Sequence, residues 1–192
     1  MGNAALDRAV EKLIECYRNG GKLMVCGNGG SASDSAHIVG ELVKGFLKKR
    51  PLPAEWNEAL GENRLQMGLP ALDLTAQGAV IAAIVNDLGG EYMFAQQVLS
   101  YGQPGDMLLG ISTSGNARNV ELAMRAAKLK GVTCVGLTGR GGGRRRSPLQ
   151  ADHPVVLGDL QAGEAQLGHE GGVLSDIPFV HRRTFRKARQ AL

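Results

Sequence analysis

Val25-Cys26-Gly27-Asn28-Gly29-Gly30-Ser31, with the helix-like run that follows it to Phe46, is the stretch on which the fold turns. Leu23, Met24, Val25 and Cys26 form an apolar run that enters a glycine turn. Ser31, Ser33 and Asp34 are each able to cap a helix beginning there. Glycines let a backbone come close to a ligand, and the amides at a helix start point outward, so the stretch offers a seat for an anion or a sugar hydroxyl. His37 and Glu41, four residues apart, share one face of the predicted helix. A polar loop backed by two ionisable groups is a candidate active-site wall; the plain alternative is a surface His–Glu pair. The loop is not a nucleotide fingerprint. No Gly-Lys-Ser/Thr follows it, and its glycines read G-x-G-G rather than G-x-G-x-x-G.

Working outward, the spacing of Leu6, Val10, Leu13, Ile14 and Tyr17 predicts a helix over 4–17, ended by Asn19-Gly20-Gly21. The second helix is expected from Ser33 to about Leu47, stopped by Lys48-Lys49-Arg50-Pro51, and 53–68 reads as an insertion with one helical turn. A short strand is expected over 69–74. The run Ala79 to Val85 is apolar all round and reads as a buried helix ending at Asn86-Asp87. A helix over 91–101, a strand over 106–111, an amphipathic helix over 120–129 and strands over 132–137 and 154–157 complete the series. Continuous apolar strands alternating with helices indicate an α/β, doubly wound fold with a parallel sheet between two helix layers.

The strand over 106–111 enters a second polar loop, Ser112-Thr113-Ser114-Gly115-Asn116, which leads into a helix as the first loop does. In open parallel sheets, ligands bind beyond the carboxyl ends of the strands. Three consecutive hydroxyls exceed what capping a helix requires, and phosphate wants donors at a positive helix end. Ser112, Thr113 and Ser114 are therefore read as a phosphate seat, against the simpler reading of a cap with spare hydroxyls.

The 192 residues suit one domain over 1–192. The net charge of +4 is unevenly placed: up to Gly139 there are 13 Lys+Arg and 13 Asp+Glu, and from Arg140 onward 9 and 5. The excess sits in Arg144-Arg145-Arg146 and between Arg182 and Arg189. No interleaved aromatics accompany it, so a solvated tail is preferred to a nucleic-acid surface. No run has the length of a membrane span and no leader pattern opens the chain, so a cytoplasmic protein without membrane contact is expected. The odd set of Cys16, Cys26 and Cys134 has no metal-type spacing, and Cys26 and Cys134 read as inert core thiols.

With both loops in hand, the chain resembles the phosphoheptose isomerase group of the sugar-isomerase (SIS) domain family. The resemblance rests on Cys26-Gly27-Asn28-Gly29-Gly30-Ser31, Asp34, His37, Glu41-Leu42, Asn86-Asp87, Ile111-Ser112-Thr113-Ser114-Gly115-Asn116 and Leu137-Thr138-Gly139, in family order and spacing, and extends to about Leu157. It implies a five-stranded parallel sheet flanked by helices, with a helix ahead of the first strand. It implies conversion of sedoheptulose 7-phosphate to a glycero-manno-heptose 7-phosphate, in sites between the subunits of a homotetramer, often with zinc. It assigns Asn28, Gly29, Gly30, Asn86, Asp87, Ser112, Thr113 and Ser114 to substrate. His37 and Glu41 are assigned to metal, with Glu41 also the acid/base that touches substrate.

The chain departs from the family in three places. Ala117 stands where many members have serine. The family's closing Gln-x-x-His, with a further histidine five residues on, has its nearest match in Gln166-Leu167-Gly168-His169, and the later position is Leu174. On that match Gln166 is the expected ligand for substrate and metal, and His153, His169 and His181 are the histidines left to replace the missing one. The segment from Gly168 to Pro178 is poor in helix propensity, so 158–192 reads as a divergent tail, through natural divergence or a change of reading frame. The alternatives to an active isomerase are an isomerase impaired by that tail and a non-catalytic SIS module that binds a phosphosugar or a protein, as one relative binds a replication initiator.

Overall fold

The structure is a computed structural model that describes residues 4–45, 49–61, 64–139 and 155–160. Helix α1, Ala4–Arg18, leads into strand β1, Leu23–Gly27, and helix α2, Gly30–Val43. Helix α3, Ala54–Leu60, follows, then β2, Ala71–Asp73, and α4, Gly78–Asp87. A single 3-10 turn, Gly90–Tyr92, leads into α5, Met93–Tyr101. Strand β3, Met107–Ser112, helix α6, Arg118–Leu129, and strand β4, Thr133–Gly139, come next, and Val155–Leu160 is β5. Four strands pair in parallel in the order β2-β1-β3-β4, and β5 lies parallel along the outer side of β4.

Strand alternation divides the core. Leu23 and Val25 of β1, Met107, Leu109 and Ile111 of β3 and Val135 of β4 face Leu6, Ala9, Val10, Leu13 and Cys16 of α1 and Ile38 and Leu42 of α2. Met24, Cys26, Leu108 and Cys134 face the other way, against Phe94, Ala95 and Val98 of α5 and Val120, Ala123, Met124 and Ala127 of α6. The period of two puts both faces of each strand under helices, which is why the strands read as unbroken apolar runs. Burial pushes the Cys26 thiol up to about 12 and the Cys134 thiol up to about 11, as expected of inert core cysteines.

Several expectations are corrected. Helix α4 is not buried: Ile84 is its one buried residue, while Val80, Val85 and the adjoining Leu88 are exposed. An apolar-all-round sequence shows that a helix needs cover, not that its own chain supplies it. Helix α1 spends its apolar face on the sheet. Helix α3 has two turns rather than one. The insertion around it is tied to the end of α2, where Arg50 donates from Nη2 to Leu42 O at 2.6 Å and from Nε to Met67 O at 2.9 Å. No helix among the described residues is long and apolar enough to cross a membrane.

Candidate active site

In the order β2-β1-β3-β4, the chain leaves β1 for β2 on one side and β3 continues on the other, so the reversal of direction falls between β1 and β3. A crevice opens at such a point, beyond the carboxyl ends of the two strands. Gly27 lies in register with Ile111, which brings the loop after β1 and the loop after β3 side by side.

The first loop makes its turn with glycine alone. A Cβ on Gly27 would stand 2.7 Å from Ser31 Cβ and 2.8 Å from Ser31 O, so only glycine lets α2 start this close to β1. Gly29, with φ 56° and ψ −122°, occupies backbone space closed to L side chains and is itself the cap of α2. The serines and Asp34 do not cap: among the described residues no side chain bonds to the start of the helix, and Ser35 Oγ donates to Ser31 O instead. Asn28, Gly29 and Gly30 are exposed at the crevice. Helix amides without a side-chain partner carry the positive end of the dipole toward whatever occupies it.

The second loop folds on its own hydroxyls. Ser112 Oγ accepts from Ala117 N at 3.4 Å, and Ser114 Oγ accepts from Asn116 N at 3.2 Å, so each serine keeps its O–H to donate. Thr113 is exposed, and Ala117, the cap residue of α6, makes no side-chain bond to the helix start. Ser112 pairs in register with Thr138, whose buried hydroxyl has no partner among the described residues.

The two loops are joined. Asn28 Nδ2 donates to Asn119 Oδ1 at 3.0 Å, and Asn119 Nδ2 donates to Asn28 Oδ1 at 2.8 Å. Sequence reasoning missed Asn119, because nothing marks it apart from any polar residue in the first turn of a surface helix. Its distance of 91 residues from Asn28 is bridged only by the pairing of β1 with β3.

Asn86 donates to Asp87 Oδ1 at 2.7 Å at the exposed end of α4. The 3-10 turn beyond it packs on α6, where Tyr92 lies near Arg118. A hydrogen bond to Glu91 and the Glu91 charge raise the Tyr92 phenol above its ordinary value, and the Arg118 guanidinium opposes them. No described contact joins Asn86 or Asp87 directly to Asn28 or to Ser112–Ser114.

His37 and Glu41 stand apart from the loops. His37 is exposed while Glu41 is 9% exposed, although one helical turn separates them. Glu41 lies eleven residues past Gly30, about 16 Å down α2. One chain therefore gathers the substrate loops at one end of α2 and Glu41 at the other. Asp34, buried between them, has its carboxyl raised by burial, with His37 pulling it back. Among the described residues no group of three or more His, Cys, Asp or Glu comes together to hold a metal. His37 and Glu41 are two donors and do not complete a zinc site by themselves. Gln166, His153, His169, Leu174 and His181 lie outside the described residues.

The comparisons with known proteins agree with this geometry. The SIS domain matches residues 2–139. Over 170 residues the chain is 44% identical to the phosphoheptose isomerase of Nitratidesulfovibrio vulgaris, a match spanning 80% of this chain and 74% of that protein. Among solved structures, a phosphoheptose isomerase from Francisella tularensis superposes with a TM-score of 0.67 at 28% identity, over 98% of this chain and 85% of that one. The phosphoheptose isomerase of Neisseria gonorrhoeae gives 0.64 at 29% identity, over 97% and 82%. The domain match over most of the chain, this level of identity and these superpositions place the chain in the SIS domain family, within its phosphoheptose isomerase group.

Proposed function

We propose that the crevice between the loops after β1 and β3 binds a phosphosugar, and that the chain is an aldose–ketose isomerase acting on sedoheptulose 7-phosphate. The observation that carries this reading is the joining of two polar loops, each entering a helix whose own cap residue makes no side-chain bond, at the point where the strand order reverses. The named relatives support the substrate class. Ser112, Thr113 and Ser114 donate to the phosphate. Asn28, Gly29 and Gly30, with Asn86 and Asp87, take the sugar hydroxyls. Gln166 is a further expected contact.

The chemistry assigned to Glu41 is proton transfer between adjacent carbons. Its carboxylate takes the proton from the carbon beside the carbonyl, leaving an enediol, and returns it to the neighbouring carbon. A second group must move the proton between the two oxygens. Glu41 lies about 16 Å along α2 from the loop it is meant to serve, which supports a site completed by a second copy of the chain. The exposed Val80, Val85 and Leu88 of α4 are apolar surface that an oligomer would cover. A homotetramer in the cytoplasm is the assembly we infer, and light scattering that finds a monomer at micromolar concentration would remove it.

Zinc belongs to the same proposal, with His37 and Glu41 as two ligands and Gln166 as a third. No step above is routed through it. His37→Ala should lose metal before it loses phosphosugar binding, as measured by metal analysis of the purified protein. The function itself is tested by following conversion of sedoheptulose 7-phosphate with and without added zinc. Binding without turnover in both conditions would return the chain to a non-catalytic phosphosugar-binding module.

A further inference from the structure

Asn119 is the second residue of α6, and its side chain does two things. Its Oδ1 accepts from Val120 N at 3.0 Å, satisfying one of the amides that a helix start leaves without an internal partner. The same amide group pairs reciprocally with Asn28. A backbone N–H can only donate, so Val120 obliges Asn119 to present its oxygen there. With Oδ1 held, Nδ2 is turned to Asn28 Oδ1, and the Asn28 amide has one way to fit: Nδ2 toward Asn119 Oδ1. What remains of Asn28 for a ligand is one N–H and one lone pair, in a fixed order. A backbone amide of α6 thus decides how a side chain on the other loop faces the crevice.

We propose that Asn119 is a positioning residue: it sets the face that Asn28 presents to the sugar part of a phosphosugar and locks the two loops into one rigid seat. This role rests on the phosphosugar reading above. An ordinary capping residue would explain the bond to Val120 and nothing more, and its loss would lower stability without touching selectivity between ligands. The reciprocal pair predicts a different pattern. Inorganic phosphate needs only Ser112–Ser114, whereas a phosphosugar also needs Asn28 in the correct orientation.

The test uses the full chain and Asn119→Ser, which keeps a hydroxyl near Val120 N but is too short to reach Asn28. Parent and variant are titrated with inorganic phosphate and with sedoheptulose 7-phosphate, and the side-chain amide signals of Asn28 are followed by NMR without ligand. The Asn28 amide should lose its fixed environment in the variant. Phosphate affinity should stay within about twofold, while phosphosugar affinity falls roughly tenfold, the worth of one hydrogen bond of about 1.4 kcal/mol. Asn28→Ala combined with Asn119→Ser should bind no more weakly than Asn28→Ala alone. Unchanged Asn28 signals, equal losses for the two ligands, or losses that multiply in the double variant would each overturn the role. A parent that binds phosphate but no phosphosugar overturns the functional reading instead, and the Asn28 signals then still decide whether Asn119 fixes that side chain.

Discussion

At the amino-terminal edge of the sheet, Asp106 accepts from Lys22 N at 2.9 Å, from Lys22 Nζ at 2.5 Å and from Gln103 N at 2.8 Å. The carboxylate is 3% exposed, and it ties the segment before β1 to the turn before β3. At the carboxyl-terminal edge the same two strands end in Asn28-Gly29-Gly30 and Ser112-Thr113-Ser114, where the cap residues Gly29 and Ala117 make no side-chain bond. One edge closes its donors on an internal acid. The other leaves donors facing outward and joins its loops by the reciprocal Asn28–Asn119 pair, which holds Asn28. The difference separates groups that stabilise the fold from groups held ready for a ligand, although both sit at the ends of the same strands.

The largest effect expected from breaking this contrast comes from Glu41, which lies far down α2 from the open edge. Glu41→Gln should keep phosphosugar binding and lower turnover by about 10²–10⁴-fold. If the two ends of α2 never meet across copies of the chain, the variant will turn over like the parent. Next in size is Asp106→Ala, which strands a partly buried lysine and two backbone amides. It should cost about 2–4 kcal/mol of stability in denaturant unfolding, with ligand affinity in the surviving folded protein unchanged. A loss of affinity there would show that the closed edge is not purely structural.

The converse experiment is the pair Ser112→Ala with Thr113→Ala. Phosphosugar binding by calorimetry should weaken by about 1–3 kcal/mol while the unfolding midpoint moves little. Unchanged affinity would remove these hydroxyls from the phosphate seat.

The contrast was only half legible in the sequence. The β1, β3 and β4 runs are continuous and apolar because helices cover both faces, so element order and the placing of both loops followed from the pattern of apolar runs along the chain. The hydroxyl run at Ser112 announced itself because it exceeds what a cap needs. Capping at the first loop misled, since Ser31, Ser33 and Asp34 are all good caps, and Gly29 takes the position because the close approach at Gly27 demands a glycine-only turn. Helix α4 misled because periodicity reports apolarity and not whose surface covers it. Asn119 was out of reach, because it depends on strand register, whereas the distance from Gly30 to Glu41 needs only helix rise over eleven residues.

The smallest expected effect concerns Asp34, between the open loop and His37. Burial raises its carboxyl above the ordinary 3.8, with His37 opposing. A folded-state value above the unfolded one gives stability that is full below the ordinary carboxyl range and is lost as pH rises through the raised value. Asp34→Asn should therefore melt slightly higher than the parent near neutral pH, and the gap should close below about pH 4. A gap that widens in acid would reverse the assigned cause.

The central claim is that ligand belongs to the open edge between β1 and β3. The most direct measurement is an NMR titration of the full chain with sedoheptulose 7-phosphate, reading backbone and side-chain amides. The account predicts shifts concentrated at Asn28–Ser31 and Ser112–Asn119, with Lys22, Gln103 and Asp106 unmoved. Shifts gathered at the Lys22–Asp106 edge, or none at saturating phosphosugar, would contradict it.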